Sequence, residues 1–578
     1  MVVATRRRAR GGALEGFERF VERLLRDWKV NGAAIIIVRD GEVAFSRGFG
    51  FRDVENELPV TEHTLFPLAS VTKAFTTMAI GILADDGILD WDTPVRHYLP
   101  ALALWDPFAT ERMTPRDLVT HRSGLPRHDL MWYHSTATRA DLVERLRYLE
   151  PTKDFRTMFQ YQNLMYMTAG FLAGEVVGST WEEVVQTRIF DPLGMVSSNF
   201  SVATSQQAPD FSLPYRLQKR RTEEIPFYVE QEALGPAGSI VSSAADMGQW
   251  LKLHLGLGQV GDMRIVSEGQ IRQMHAPQIV VPSSGRWPEL PANSYGLGWD
   301  VQPYRGRAMV HHGGNIDGFS TLCAFMPDDY LGVAVLTNMD GSPVPYILAW
   351  NVFDRCIGGP VVPWGRRFKE DQKEIESAGQ RGKAKRVEDR IRRTRPSHPL
   401  ADYAGTYAHP GYGQMRVDLD NGRLVATYNG MELPLKHYHY DTFELTYERF
   451  EFTAKVTFAA DHRGEIAQIA APLEPTVRDI IFARVPDETM TDPAFLEPLC
   501  GTYEFMGTPV VVSFKGDALQ VAIPGQPEYV LTPVKGTEFA VRGLSGFSVT
   551  FNVDAEGSVT DALLNQMGAV FVAKRRGD

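Results

Sequence analysis

The sequence is poor in cysteine, with three in 578 residues. Cys323, Cys356 and Cys500 show no paired metal-ligand spacing, which excludes a disulfide framework and a cysteine-based zinc site. Long apolar runs are missing as well: no stretch approaches the roughly 20 apolar residues a membrane-spanning helix needs. An excess of basic charge is lacking. The net charge of −11 argues against a nucleic-acid partner, because phosphates call for a basic surface. No Gly-x-Ser-x-Gly occurs, so the nucleophile turn of an α/β-hydrolase is absent. No His-Glu-x-x-His occurs, and His437-Tyr438-His439 stands without a third ligand. The sequence therefore implies no metal and no cofactor. Arg6, Arg7, Arg8 and Arg10 are not followed by the apolar core of a secretory signal, and a cytoplasmic location is expected.

What is present reads as an ordinary globular composition, 44% apolar and 23% charged, in a chain long enough for several domains. Leu14, Phe17, Phe20, Val21, Leu24, Leu25 and Trp28 recur at helical spacing. Two apolar runs, 33–38 and 43–49, flank Arg39-Asp40-Gly41-Glu42, a hairpin signal. Residues 70–87 read as a helix with Ala74, Phe75, Met78, Ala79, Ile82 and Leu83 on its buried side. A mostly helical middle follows to about residue 260, and strand patterns return at 309–312, 321–326 and 332–337. A helix over 344–356 closes the region. Strands at both ends with helices between predict one α+β domain whose sheet joins distant segments.

Residues 366–397 are dense in both charges and poor in apolar side chains, which predicts a solvated helix or linker. Beyond it lies an internal repeat. Gly405-Thr406-Tyr407 recurs as Gly501-Thr502-Tyr503, and Val456-Thr457-Phe458 recurs as Val549-Thr550-Phe551. The alternation within each copy predicts two small antiparallel β-barrels without a catalytic cluster. The expected domains are a catalytic domain over 1–362, a charged linker over 363–397, and barrels over 398–487 and 488–578.

Three segments carry chemistry. Ser70-Val71-Thr72-Lys73 places a hydroxyl and an amine one helical turn apart. A lysine with an ordinary pKa near 10.4 is a poor base at neutral pH. In the first turn of a helix, among apolar walls, its neutral form is favoured. Tyr161-Gln162-Asn163 offers a phenol for proton transfer and an amide to hold Lys73 or a substrate amide. His312-Gly313-Gly314-Asn315-Ile316-Asp317 follows a strand pattern. Its paired glycines allow a close backbone approach by substrate, and the amide of Asn315 could join that of Ser70 as an oxyanion hole.

The order Ser-x-x-Lys, Tyr-x-Asn, His-x-Gly resembles the three motifs of the penicillin-recognising serine hydrolases, which include class C β-lactamases, related esterases and D-aminopeptidases. Further segments agree, among them Arg47–Asp53, Thr64–Ala69, Thr120–Leu125, Pro236-Ala237-Gly238 and Tyr295–Trp299. The resemblance covers about residues 14–357. It implies a β-lactamase-like domain, an antiparallel sheet flanked by helices with a helical region, followed by paired lipocalin-like barrels. It assigns Ser70 as the acylated nucleophile and Lys73 and Tyr161 as its proton-handling pair. His312 would line the cleft and bond Tyr161 or substrate. Asn163, Gly314, Asn315 and Asp317 would bind substrate, with the Ser70 and Asn315 amides holding the oxyanion. Class C β-lactamases carry Lys where this chain has His312. A mostly neutral His pairs poorly with a β-lactam carboxylate, which points to the peptidase and esterase branches. The resemblance implies a small-molecule or peptide substrate and hydrolysis of amide or peptide bonds, including D-configured or N-terminal residues. A carboxylesterase and a non-catalytic penicillin-binding-like protein are the alternatives. Oligomeric state is left open.

Overall fold

The computed structural model describes residues 12–218, 221–228, 232–282, 286–388, 390–447, 452–554 and 556–577. The arginine-rich start lies outside the described residues. Among these residues no helix is long and apolar enough to cross a membrane. The chain divides into two compact units. One comprises Met1–Arg390, Pro410–Tyr412 and Leu473–Arg478; the other comprises Ile391–His409, Gly413–Pro472 and Asp479–Asp578.

The first unit is built on a nine-stranded antiparallel sheet. In chain order its strands are β1 (Gly32–Arg39), β2 (Glu42–Asp53), β3 (Leu58–Pro59), β4 (Ile279–Val281), β5 (Asn293–Tyr295), β6 (Asp300–Tyr304), β7 (Arg307–Ile316), β8 (Phe319–Met326) and β9 (Leu331–Thr337). They lie side by side in the order β4-β5-β6-β7-β8-β9-β1-β2-β3. The N-terminal hairpin thus completes a sheet begun some 250 residues later, as the strand patterns at both ends of the domain required. Asp40 and Gly41 both have positive φ, 53° and 82°, and Arg39 pairs with Glu42. That is the turn a two-residue hairpin favours.

Strand β1 is apolar without alternation because both of its faces are covered. Ile35 and Ile37 join the cluster of Phe17, Val21, Leu24, Ile347 and Leu348, which come from helices α1 (Phe17–Trp28) and α5 (Val344–Ile357). Ile36 points the other way, against Gly248 of α4 (Ala244–Leu255). The helical layer on that side contains α2 (Thr72–Asp85) and α3 (Asn163–Glu175), both almost wholly buried. The charged stretch that follows is the helix α6 (Trp364–Glu388).

The second unit holds two closed eight-stranded antiparallel barrels, with strands running from Gly405–His409 to Ile480–Val485 and from Gly501–Phe505 to Ala569–Arg575. The sequence repeat corresponds to repeated contacts. The hydroxyls of Tyr407 and Tyr503 donate to the carbonyls of Tyr403 and Leu499, four residues back, at 2.9 and 2.8 Å. Arg484 and Arg575, each on the last strand of its barrel, donate to the carbonyls of Ala404 and Cys500. Each guanidinium ties the last strand to the entry of the first, satisfying a carbonyl at the seam.

Candidate active site

Ser70 occupies a 3-10 turn (Ala69–Val71) that leads into α2. Ala69 is held at φ 49°, a left-handed conformation costly for a residue with a Cβ. The turn leaves Ser70 half-buried and puts Lys73 one turn further on, with no exposed surface. Lys73 Nζ lies 3.1 Å from Ser70 Oγ, 2.8 Å from Asn163 Oδ1 and 2.8 Å from the carbonyl of Ala237. The two carbonyl oxygens can only accept. A neutral amine therefore gives its two N–H bonds to Asn163 and Ala237, and its lone pair is left for the Ser70 hydroxyl. Burial pushes the Lys73 ammonium well below its ordinary pKa, and the nearby Arg127 adds to the shift; Asp129 opposes it.

Gln162 caps α3 through its side chain, which accepts from the Leu164 amide at 2.7 Å. The cap fixes its neighbours. Asn163 begins the helix and reaches Lys73, and Tyr161 precedes the cap and donates to Ser70 Oγ at 2.8 Å. Burial raises the Tyr161 pKa, against a smaller lowering by the Ser70 bond and Arg127, so the phenol keeps its proton. The His121 ring lies over it with centroids 4.3 Å apart. Nδ1 of His121 accepts from the Gln162 amide at 3.0 Å, and burial keeps this ring neutral.

Strand β7 supplies the third segment. Gly313 and Gly314 permit a close approach, but protein atoms fill the space. A Cβ on Gly313 would sit 1.9 Å from the Tyr346 hydroxyl, and one on Gly314 would sit 2.1 Å from the Leu68 carbonyl and 2.4 Å from Thr321 Oγ1. Gly314 thus lets β7 press against the turn that carries Ser70, and Gly313 makes room for Tyr346 of α5, where the sequence suggested room for substrate. Gly314→Ala is expected to destabilise the fold by about 1–3 kcal/mol through overpacking. Thermal melting checks it, and a wild-type midpoint would reject the tight contact.

The Asn315 side chain braces the neighbouring turn. Its Oδ1 accepts from Ser320 Oγ and the Gly341 amide, both at 2.9 Å. Asp317, half-buried at the β7–β8 turn, accepts from the Tyr133 hydroxyl at 3.1 Å.

These observations can be set beside known proteins. The Beta-lactamase family matches residues 17–354, more than half of the chain. The chain belongs to the beta-lactamase family. A second family, Domain of unknown function (DUF3471), matches residues 389–484. Unguisins hydrolase ungD' of Aspergillus campestris is 28% identical over 443 residues, 71% of this chain and 78% of that protein. Protein flp of Staphylococcus aureus is 25% identical over 342 residues, 57% of this chain and 64% of its own length. The structure of the octameric penicillin-binding protein homologue from Pyrococcus abyssi aligns with TM-score 0.54 at 24% identity. It covers 81% of this chain and 99% of that one, a likeness of fold.

Within this beta-lactamase-family site, His312 does not make the expected bond to Tyr161. It bonds Tyr295, not Tyr161, whose ring lies 6.4 Å away. Nδ1 of His312 donates to the Gly313 carbonyl at 2.7 Å, so Nε2 accepts from the Tyr295 hydroxyl at 3.0 Å. Burial lowers the His312 pKa to about 4. The ring is a neutral brace.

His121 and four other contributors lie outside the candidate residues read from sequence. Ala237 offers only a carbonyl, although Pro236-Ala237-Gly238 is one of the segments that carry the family resemblance. Tyr295 opens another such segment. Arg127 and Asp129 lie just beyond Thr120–Leu125. The Arg127 guanidinium sits 5.1 Å from the Tyr161 ring centroid and pairs with Asp129. Asp129 Oδ1 in turn accepts from Asn163 Nδ2 at 3.1 Å. Two charges in a polar loop read as solvated side chains unless the fold is known.

Proposed function

We propose that this protein hydrolyses amide or peptide bonds through an acyl-enzyme on Ser70. The observation that carries the reading is the Lys73 environment: two carbonyls occupy its N–H bonds and the Ser70 hydroxyl faces its remaining valence. Lys73 takes the Ser70 proton as Oγ forms its bond to the substrate carbonyl carbon. The Ser70 and Asn315 amides stabilise the oxyanion. Collapse of the adduct breaks the bond to the leaving nitrogen, which takes a proton from Tyr161; Lys73 returns a proton to Tyr161. Water then attacks the ester, and its proton follows the same groups in reverse.

A protonated phenol at the nucleophile favours amides, because an amine leaves only once protonated, whereas an alkoxide of low basicity needs less help. The neutral His312 supplies no cation for a β-lactam carboxylate, and Arg127 is already paired with Asp129. Asp317 provides the carboxylate that a free substrate ammonium would need, which suits N-terminal or D-configured residues. The name of the unguisins hydrolase relative supports a hydrolase.

The test compares kcat/KM on D-alanyl and L-alanyl p-nitroanilides, a p-nitrophenyl ester and a chromogenic cephalosporin. An anilide is expected to turn over and the cephalosporin to rank last. Turnover of the ester alone would replace this reading with a carboxylesterase. A cephalosporin ranked first would overturn it.

A further inference from the structure

His128 stands between the two charged residues that touch the site, and it is fixed by residues far along the chain. Its φ is 48°, a left-handed conformation that persists in a non-glycine residue only when surroundings impose it. Its amide donates to Glu474 Oε2 at 2.9 Å, 346 residues away in sequence. Its ring Nε2 lies 3.1 Å from the Glu150 carbonyl. A carbonyl only accepts, so Nε2 carries the proton and Nδ1 accepts from the Tyr412 hydroxyl at 2.7 Å, 284 residues away. His128, Tyr412 and Glu474 are all buried. Glu474 is itself held by the Thr476 amide at 3.2 Å and hydroxyl at 2.7 Å. The segments 410–412 and 473–478 that carry these groups belong to the same compact unit as the catalytic residues.

The turn at His128 aims its neighbours elsewhere. Arg127 lies over the Tyr161 ring. Asp129 accepts from Asn163, the residue that takes a Lys73 N–H, and from Trp132 Nε1 at 3.2 Å. A shift of His128 would move both charges relative to Lys73 and Tyr161.

We propose that Glu474 and Tyr412 are positioning residues for the Ser70 chemistry: by pinning His128 they hold Arg127 against Tyr161 and Asp129 against Asn163. The inference rests on the acyl-enzyme reading above. Charged and titratable groups near Lys73 are Arg127 and Asp129 from this loop, Tyr161 and Tyr166 before and on α3, with Nζ 4.9 and 5.4 Å from their ring centroids, and His121 and His312, both neutral through burial. Arg127 disfavours the ammonium form of Lys73 and Asp129 favours it. Arg127 is the larger of the two influences, so displacing the pair raises the proton affinity of Lys73 on balance, and the acid limb of any Ser70 reaction moves to higher pH.

The experiment follows the rate of Ser70 labelling by a fluorophosphonate probe against pH, with melting temperature recorded for each variant. Arg127→Met is expected to move the acid limb up by about one unit, the scale of one nearby charge. Tyr412→Phe and Glu474→Ala should move it the same way by about half a unit, a threefold loss on the acid side with little on the alkaline plateau. Glu474→Gln keeps the acceptor for the His128 amide and should restore the wild-type limb. Wild-type limbs in Tyr412→Phe and Glu474→Ala, or equal losses at every pH, would overturn the proposal. Failure of the substrate reading shows separately, as a wild-type protein that is labelled but turns over no anilide or ester.

Discussion

Ser70→Ala is expected to lose about 10⁴-fold or more in kcat on every substrate the wild type accepts, the scale seen when a serine nucleophile is removed. Its melting temperature should stay near that of the wild type. Ser70 is half-buried, and its Oγ contacts are the Tyr161 hydroxyl and Lys73 Nζ. Water can enter a half-open site and replace one oxygen, so the fold loses little. The measurement is steady-state turnover on the anilide and ester panel alongside a thermal melt. Activity within tenfold of wild type would remove Ser70 from the chemistry. The result also separates an enzyme from a binding protein. A wild type acylated at Ser70 by a β-lactam, with no turnover of any substrate, would match the non-catalytic alternative.

How much of this was legible in the sequence differs by kind of interaction. Ser70, Lys73, Tyr161 and Asn163 stand in two short motifs, and the fold brings them within hydrogen-bonding distance. Their side chains do the chemistry, so residue type carries the signal. The second carbonyl partner of Lys73 belongs to Ala237, whose contribution is main-chain and therefore silent in a residue pattern. His312 illustrates another limit. Its motif position was recognised, but its partner Tyr295 is fixed by the pairing of β5, β6 and β7, a register that a three-residue strand does not announce.

The same holds for the sheet as a whole. Long apolar strands such as β1, β8 and β9 were evident from 33–38, 321–326 and 332–337. The strands β4, β5 and β6 were not, being short and only partly buried, with little hydrophobic pattern to read. The barrels were legible for a different reason. Two copies of one pattern support each other, and alternation with Gly and Asn turns is the mark of an antiparallel strand with one wet face. The role of Glu474 and Tyr412 was beyond reach, since it depends on loops 284 and 346 residues from the groups they hold.

Lys73→Met gives the second large effect and bears on which group is the base. Loss of the amine should cost about 10²–10⁴-fold in kcat/KM, the usual worth of a positioned acid–base group, and should erase the acid limb of the profile. The stability consequence has a definite sign. Lys73 in the folded protein has a pKa well below its ordinary 10.5, the reverse of a lysine that gains a salt bridge. Between the folded and unfolded values the unfolded chain binds a proton that the folded chain does not. Stability contributed by this group therefore rises with pH through that window and is flat outside it. Methionine abolishes the term, leaving other titrations common to both proteins. The unfolding free energy of wild type minus variant should climb by up to about 1.4 kcal/mol per pH unit between the depressed folded value and the ordinary lysine value. Parallel stability curves would mean that the folded protein holds Lys73 as an ammonium. Its three N–H bonds would then go to Asn163, Ala237 and Ser70, no lone pair would face the nucleophile, and the Ser70 proton would have to leave through an ionised Tyr161. Burial of that phenol opposes its ionisation, so the pH slope decides between a neutral amine and a phenolate as the base.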